Sequence, residues 1–267
     1  MGADIKKLRT RIKSVNSTLH LTKAMGLVAS SKIRRANDSM NKGREYVRAV
    51  KEAANLLAAS PECLKSPYME KRESGRLRLV VIAGDRGLAG GYNANIFRLI
   101  KEYPDAEIIP IGKRACDRFE GGFRSTEEFG TKEAKILADK LCQDFVDGAY
   151  DRLGIVCTQY ISMMSQEAQV VWVLPLEKTE PKGNGGIVFE PNEVSVLNTM
   201  IPEYVSGILV AAAKESFACE VAARRVAMDA AGKNAQEMLD DLGLAYNRAR
   251  QGAITQEITE IVAGSGV

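Results

Sequence analysis

Residues 3–60 contain no proline, and along them apolar or small side chains recur at Ile5, Leu8, Ile12, Val15, Leu19, Thr22, Gly26, Ala29, Ile33, Ala36, Met40, Gly43, Val47, Val50, Ala54 and Leu57. The steps alternate between three and four, so a single narrow stripe persists through the whole segment. That period keeps one seam turned toward a neighbouring helix, as in a coiled coil, whereas a helix lying on a globular core shows a wider apolar face. At 1.5 Å per residue such a helix is roughly 85 Å long. The middle of the stripe is small: Gly26, Ala29, Ala36 and Gly43. Each glycine costs a helix about 1 kcal/mol relative to alanine, so these positions predict a close approach by a second helix.

A second proline-free segment, residues 203–262, follows Pro202, which is well placed as a first helical residue. Its stripe is weaker: Val221, Met228, Ala231, Ala235, Met238, Leu242, Ala245 and Ala249. Two helices of matched length, one entering and one leaving the segment between them, are expected to pair antiparallel and bring both chain ends to the far tip. The intervening segment reads as α/β, with strands at residues 77–83, 107–111, 153–160 and 170–175 and helices at 94–103, 113–119 and 132–147. Two prolines and mixed charge mark residues 60–75 as a linker, and residues 179–186 read as a surface loop. The expected fold is therefore a long antiparallel coiled coil of the N- and C-terminal helices plus a Rossmann-like α/β middle domain. Its divisions are 1–59, 76–190 and 203–267.

The chain has 267 residues, 45% of them apolar, enough for one large domain or two modest ones. A net charge of +3 says little about partners, but its distribution says more. Residues 3–59 hold 13 basic and 4 acidic side chains, residues 60–202 hold 18 and 21, and residues 203–262 hold 6 and 9. Between Ile5 and Asn37 there are nine basic residues and no acid, so the first helix is a basic rod. Five cysteines, at positions 63, 116, 142, 157 and 219, form no CxxC pair and are odd in number, which argues against a disulfide framework and a zinc site. The N-terminus lacks the apolar core of a signal peptide, and by the sequence no run approaches the roughly 20 apolar residues needed to cross a bilayer. Membrane association is expected only through another subunit.

Catalytic chemistry is hard to find. The stretch GDRGLAGGYN, residues 84–93, lies between a strand and a helix, where glycine-rich loops often cradle phosphate. Its glycines do not fit GxGxxG, and no Lys-Ser or Lys-Thr follows. A tight turn at the carboxyl edge of a parallel sheet is the better reading. His20, the one histidine, sits beside the stripe; Asp240 and Asp241 diverge on a helix; no GxSxG or HExxH occurs. No catalytic, cofactor or metal site is expected.

The basic run admits a solvated face, a nucleic-acid surface or an acidic protein partner. It lacks the interleaved aromatics of a nucleic-acid surface, Tyr46 being the only aromatic in the helix. The end of the chain, RARQGAITQEITEIVAG, places Ile254, Ile258 and Ile261 at i, i+4 and i+7 near a terminus that ought to fray. Either Ile5 and Leu8 cover this strip, or it sits in a socket belonging to another molecule.

Three stretches together carry a resemblance. IKKLRTRIKSVNSTLHLTKAMGLVASSKIRRA at the start, GDRGLAGGYN in the middle and NRARQGAITQEITEIVAG at the end are similar, in order and spacing, to the γ subunits of F-type ATP synthases. The resemblance implies a central stalk: a non-catalytic rotor shaft inside a ring of α and β subunits, with the middle domain against ε and the membrane c-ring. It places the protein at the cytoplasmic face of a bacterial plasma membrane, touching the membrane only through the complex, with no nucleic-acid partner. By the matched motifs, Met25 faces a β-subunit loop and Lys23, Lys32, Arg34 and Arg35 meet acidic β loops. Arg250, Gln251, Thr255 and Glu257 are implied in polar contacts with the β catch region, with Arg225 a weaker match, while Ile258, Ile261 and Val262 turn in an apolar bearing. Ala89 stands where cysteine is common in the family, and the inserted redox-active cysteine pair of plastid forms does not occur. The alternatives are an unrelated structural coiled-coil protein with a hinge domain, and a nucleotide-binding enzyme built on the middle segment.

Overall fold

The computed structural model describes residues 2–72, 75–179 and 189–264. They form two compact units: Met1–Ser30 with Arg224–Val267, and Ser31–Ala223. Helix α1 spans Gly2–Ala58 and helix α5 spans Glu193–Gly264, so both contribute to each unit. Every stripe position on α1 from Ile5 to Leu57 is buried or half-buried, and most residues between them are exposed. The three-four period thus identified the packed seam residue by residue.

The two helices run antiparallel within each unit. In the first unit Arg9 Nη2 donates to Tyr246 Oη at 3.1 Å and Arg225 Nη1 donates to Gly26 O at 3.0 Å. In the second, a Cβ placed on Gly43 would lie 3.3 Å from Ala211 Cα, and Ala36 and Met40 pack with Ala218. The close approach anticipated at the small residues therefore holds at Gly43. At Gly26 the helices also meet, a Cβ there lying 3.8 Å from Met228 Cβ and 3.4 Å from Arg225 Nη1, but these are ordinary van der Waals distances and glycine is not required for the approach.

Pro202 does not begin α5 but lies inside it, the helix starting at Glu193. Asn192 provides the start: its Oδ1 accepts from Ser195 N at 2.9 Å and its carbonyl accepts from Val196 N at 3.1 Å. The proline removes one helical donor. Burial of Leu197, Ile201, Val205 and Leu209 on either side of it offsets that loss. The seam near the C-terminus also differs by one step from the sequence reading. Met238 is 42% exposed and Ala245 is exposed, whereas Leu239 and Tyr246 take the half-buried positions.

In the second unit the strands are β1 (Leu77–Ile82), β2 (Glu107–Ile111), β3 (Arg152–Tyr160) and β4 (Gln166–Leu174), in the order β2-β1-β3-β4. β1 pairs parallel with β2 and β3, and β4 pairs antiparallel with β3. Helices α2 (Tyr92–Ile100), α3 (Lys113–Cys116) and α4 (Thr131–Val146) complete the unit. β4 begins four residues earlier than its apolar run suggested, because Gln166 pairs back to Tyr160 across a short turn. α3 is shorter than anticipated and gives way to turns. The run LRLVVI is apolar almost throughout because both faces of β1 are covered. Val80 and Ile82 pack with α4, the end of α1 and the start of α5; Leu79 and Val81 pack with α2. The expected loop at 179–186 lies outside the described residues beyond Thr179.

One stretch of α5 is long and apolar enough to cross a membrane by composition, contrary to the expectation that no run approaches that length. Half of that window is buried within the protein, as in a core helix.

Candidate partner interface on the helical pair

No group of three or more His, Cys, Asp or Glu side chains gathers into a metal-binding cluster among the described residues. The glycine-rich loop after β1 is occupied from within: both carboxylate oxygens of Glu220 accept backbone N–H groups there, from Asp85 at 3.1 Å and Arg86 at 3.0 Å. The candidate contact residues lie on the helices.

In the first unit, Lys23 is exposed and Met25 half-buried on α1. Lys23 borders a groove of about 240 Å³ lined by Leu19, Thr22, Gly26, Met228 and Gly232, where small side chains leave the helical pair hollow. Arg225 is half-buried, and its guanidinium is directed to the Gly26 carbonyl rather than outward. Toward the C-terminus Arg250, Gln251, Thr255 and Glu257 are all exposed. Thr255 Oγ1 donates to Gln251 O at 3.0 Å, so its hydroxyl is turned back along the helix.

Ile254, Ile258, Ile261 and Val262 are 43%, 56%, 69% and 65% exposed. Ile5 and Leu8 are themselves only half-buried and leave the strip largely open to solvent. A folded helix with contiguous large apolar side chains in water marks a surface meant for a partner.

In the second unit Arg34 and Arg35 are exposed, but Lys32 is engaged within the chain. Its Nζ lies 2.7 Å and 2.9 Å from the two carboxylate oxygens of Glu127, and 5.7 Å from the centroid of the Phe217 ring. The sequence reading also missed a second outward apolar strip. Leu21, Leu27 and Val28 are 58%, 68% and 54% exposed, and Leu21, Met25 and Val28 fall at i, i+4 and i+7. Their signal was available as apolar residues lying off the heptad stripe in a helix otherwise basic outside its seam.

Comparison with known proteins identifies the family. A family model described as ATP synthase matches residues 4–266. An ATP synthase gamma chain from Ruminococcus albus is 40% identical over 281 aligned positions, covering 98% of both chains. This chain belongs to the ATP synthase gamma family. The gamma fold recurs in a structure of the Euglena gracilis mitochondrial ATP synthase OSCP/F1/c-ring assembly, with TM-score 0.69 and 19% identity over 100% of this chain and 97% of that one. It recurs again in the central stalk and c-ring of the Tetrahymena thermophila mitochondrial enzyme, with TM-score 0.61, covering 79% of this chain and 99% of that one.

Proposed function

We propose that this gamma chain is the rotor shaft that carries torque between a membrane c-ring and a catalytic ring of α and β subunits, itself performing no catalysis. The observation that carries the reading is the exposed strip Ile254, Ile258, Ile261 and Val262 at the end of a folded helix. Left bare it would be an aggregation hazard; within a collar of other subunits it is a low-friction apolar bearing. The polar neighbours Arg250, Gln251, Thr255 and Glu257 make the contacts to a β subunit that fix angle. Lys23, Met25, Arg34 and Arg35 face β loops farther along the shaft, the charge of the lysine and the two arginines steering acidic segments toward it. Such contacts are exposed and screened, so they can be exchanged as the shaft turns.

Two residues take altered roles. Lys32 is shared between Glu127 and any outer partner, and Arg225 acts on a partner through the position of the Gly26 carbonyl. The middle domain docks on ε and the c-ring, and the complex lies at the cytoplasmic face of the bacterial plasma membrane. ATP is made and hydrolysed on β, driven by ion flow through the membrane sector.

Affinity purification of the tagged chain from native membranes tests the assignment. Recovery with α and β in equal amounts, at about three copies of each per tagged chain, together with ε and c, is the expected result. Recovery of the chain alone from gently solubilised membranes overturns it.

A further inference from the structure

The stretch GDRGLAGGYN has the look of a phosphate loop, and its amides do hold an anion: the side chain of Glu220, 1% exposed and drawn from 135 residues away. A Cβ on Gly84 would lie 2.8 Å from Glu220 Cδ, so glycine is what lets α5 come this close. Asp85 extends the arrangement. Its carboxylate accepts from Lys113 N at 3.2 Å, Ser125 Oγ at 3.1 Å, Thr126 N at 2.8 Å and Glu127 N at 3.1 Å.

The same part of α5 also completes the sheet. β1 pairs with β3 only as far as Val156. Beyond it, Thr158 N donates to Ser216 Oγ at 3.3 Å and Tyr160 N donates to Glu215 Oε1 at 2.8 Å. Tyr92 Oη donates to Ser216 O at 2.9 Å, and Arg44 of α1 donates both to Glu215 Oε1 at 2.6 Å and to Tyr160 O at 2.8 Å. Side chains of α5 thus stand where a further strand would.

We propose that this polar seam, centred on Glu220 in the amides of Asp85 and Arg86, is the joint that locks α5 to the sheet against rotation about the helix axis. The proposal rests on the rotor reading above. Apolar packing is non-directional and allows a helix to slip or turn with little loss until contacts part. Buried charge-assisted bonds are directional, and a turn of α5 by a few degrees strands a carboxylate that cannot reach water. Torque entering at one element therefore passes to the other without slippage.

The experiment uses complete ATP synthase in vesicles, carrying the wild-type chain, Glu220→Ala or Glu220→Gln, with amide hydrogen exchange measured on the same complexes. Glu220→Ala is expected to speed exchange at Asp85 and Arg86 at least tenfold. It is also expected to lower ions pumped per ATP hydrolysed at least twofold while hydrolysis continues. Added formate, which can occupy the vacated amides, is expected to restore both. Gly84→Ala is expected to destabilise the wild-type chain but not the Glu220→Ala chain, since the methyl then enters space the carboxylate has left. Should Glu220→Ala fail to assemble, Glu220→Gln, which keeps the volume, is read by the same assays and the same criteria. Unchanged exchange at Asp85 and Arg86 overturns the clamp; faster exchange with unchanged pumping overturns its part in torque. A wild-type chain that does not join the complex overturns the rotor reading instead, and leaves the exchange result on the free chain standing.

Discussion

Gly154 of β3 pairs with Leu79 of β1, and the space a methyl group would need at Gly154 is already filled by the Leu79 side chain. A Cβ there would lie 2.8 Å from Leu79 Cδ2, 2.9 Å from Val170 Cγ1 and 3.0 Å from Trp172 Cζ3. Leu79 is fully buried and has no free space to move into, while Val170 and Trp172 are half-buried and must shift outward to make room. Gly154→Ala is therefore expected to destabilise the chain by about 2 kcal/mol, in the range for overpacked cores. Chemical denaturation of the purified chain checks this; an unchanged midpoint would show that the sheet relaxes more readily than its packing indicates.

Arg78 is a charge inside the second unit. It is 7% exposed, pairs with Glu107 at 2.7 Å and with Asp144, and stacks over Tyr150 with its guanidinium carbon 4.5 Å from the ring centroid. Replacing it with methionine keeps the stem and removes the charge. Both carboxylates retain some access to water, so the cost falls below that of breaking a fully buried pair, at about 2 kcal/mol. Equilibrium unfolding at neutral pH reads the change, and a loss under about 0.5 kcal/mol would place the pair with ordinary surface bridges.

What the sequence disclosed follows from the range over which each interaction acts. The α1 stripe from Ile5 to Leu57 was legible because a helix repeats its environment every three or four residues. The strands were legible because β1 is buried on both faces and reads as an unbroken apolar run. Pro202 misled because its local preference for a first turn was outweighed by Leu197 and Ile201 in the core. The C-terminal seam was misjudged by one step because Met238 and Leu239 are adjacent and both apolar, leaving pattern alone nothing to choose between them. The partners of Lys32 and of the glycine-rich loop were invisible, since Glu127 and Glu220 lie 95 and about 135 residues away. The open strip at Ile258 and Ile261 was legible as a pattern, but only coordinates show that Ile5 and Leu8 do not cover it.

The cysteines give a prediction about pH. Cys63, Cys142, Cys157 and Cys219 are buried, and only Cys116 is half-exposed. Burial pushes the Cys142 and Cys157 thiols up to about 12 from an ordinary 9.0, and raises Cys63 and Cys219 in the same direction. Burial raises Cys116 as well, so in the native chain a thiol reagent is expected to modify Cys116 slowly but first, and the other four only as the protein unfolds. As pH rises from 9 toward 12, the unfolded chain loses thiol protons that the folded chain keeps. Stability contributed by the neutral buried thiols is full below the unfolded value and is lost across that window. Serine at Cys142 and Cys157 should flatten the alkaline decline in melting temperature; an identical decline in that variant would assign it to other groups.

The exposed end of α5 separates folding from coupling. Arg250 and Gln251 are both exposed, Arg250 one turn beyond Tyr246 at the edge of the seam and Gln251 on the side away from Leu242, so alanine at both positions removes little packing within the chain. The melting temperature of the isolated double variant is expected to match wild type within the spread of surface substitutions, about 0.5 kcal/mol. In the assembled enzyme the same change removes a guanidinium and an amide from the proposed collar contact, and ATP synthesis in vesicles is expected to fall severalfold. Ile258→Ser with Ile261→Ser acts on the apolar side of the same helix: these residues are 56% and 69% exposed, so the isolated chain becomes more soluble and no less stable. Assembly with the ring is expected to weaken, because the serines must be desolvated in an apolar socket without hydrogen-bond partners. Synthesis at wild-type rates in both variants would mean that the tip turns without a fitted bearing and that torque is transmitted by the shaft farther from its end.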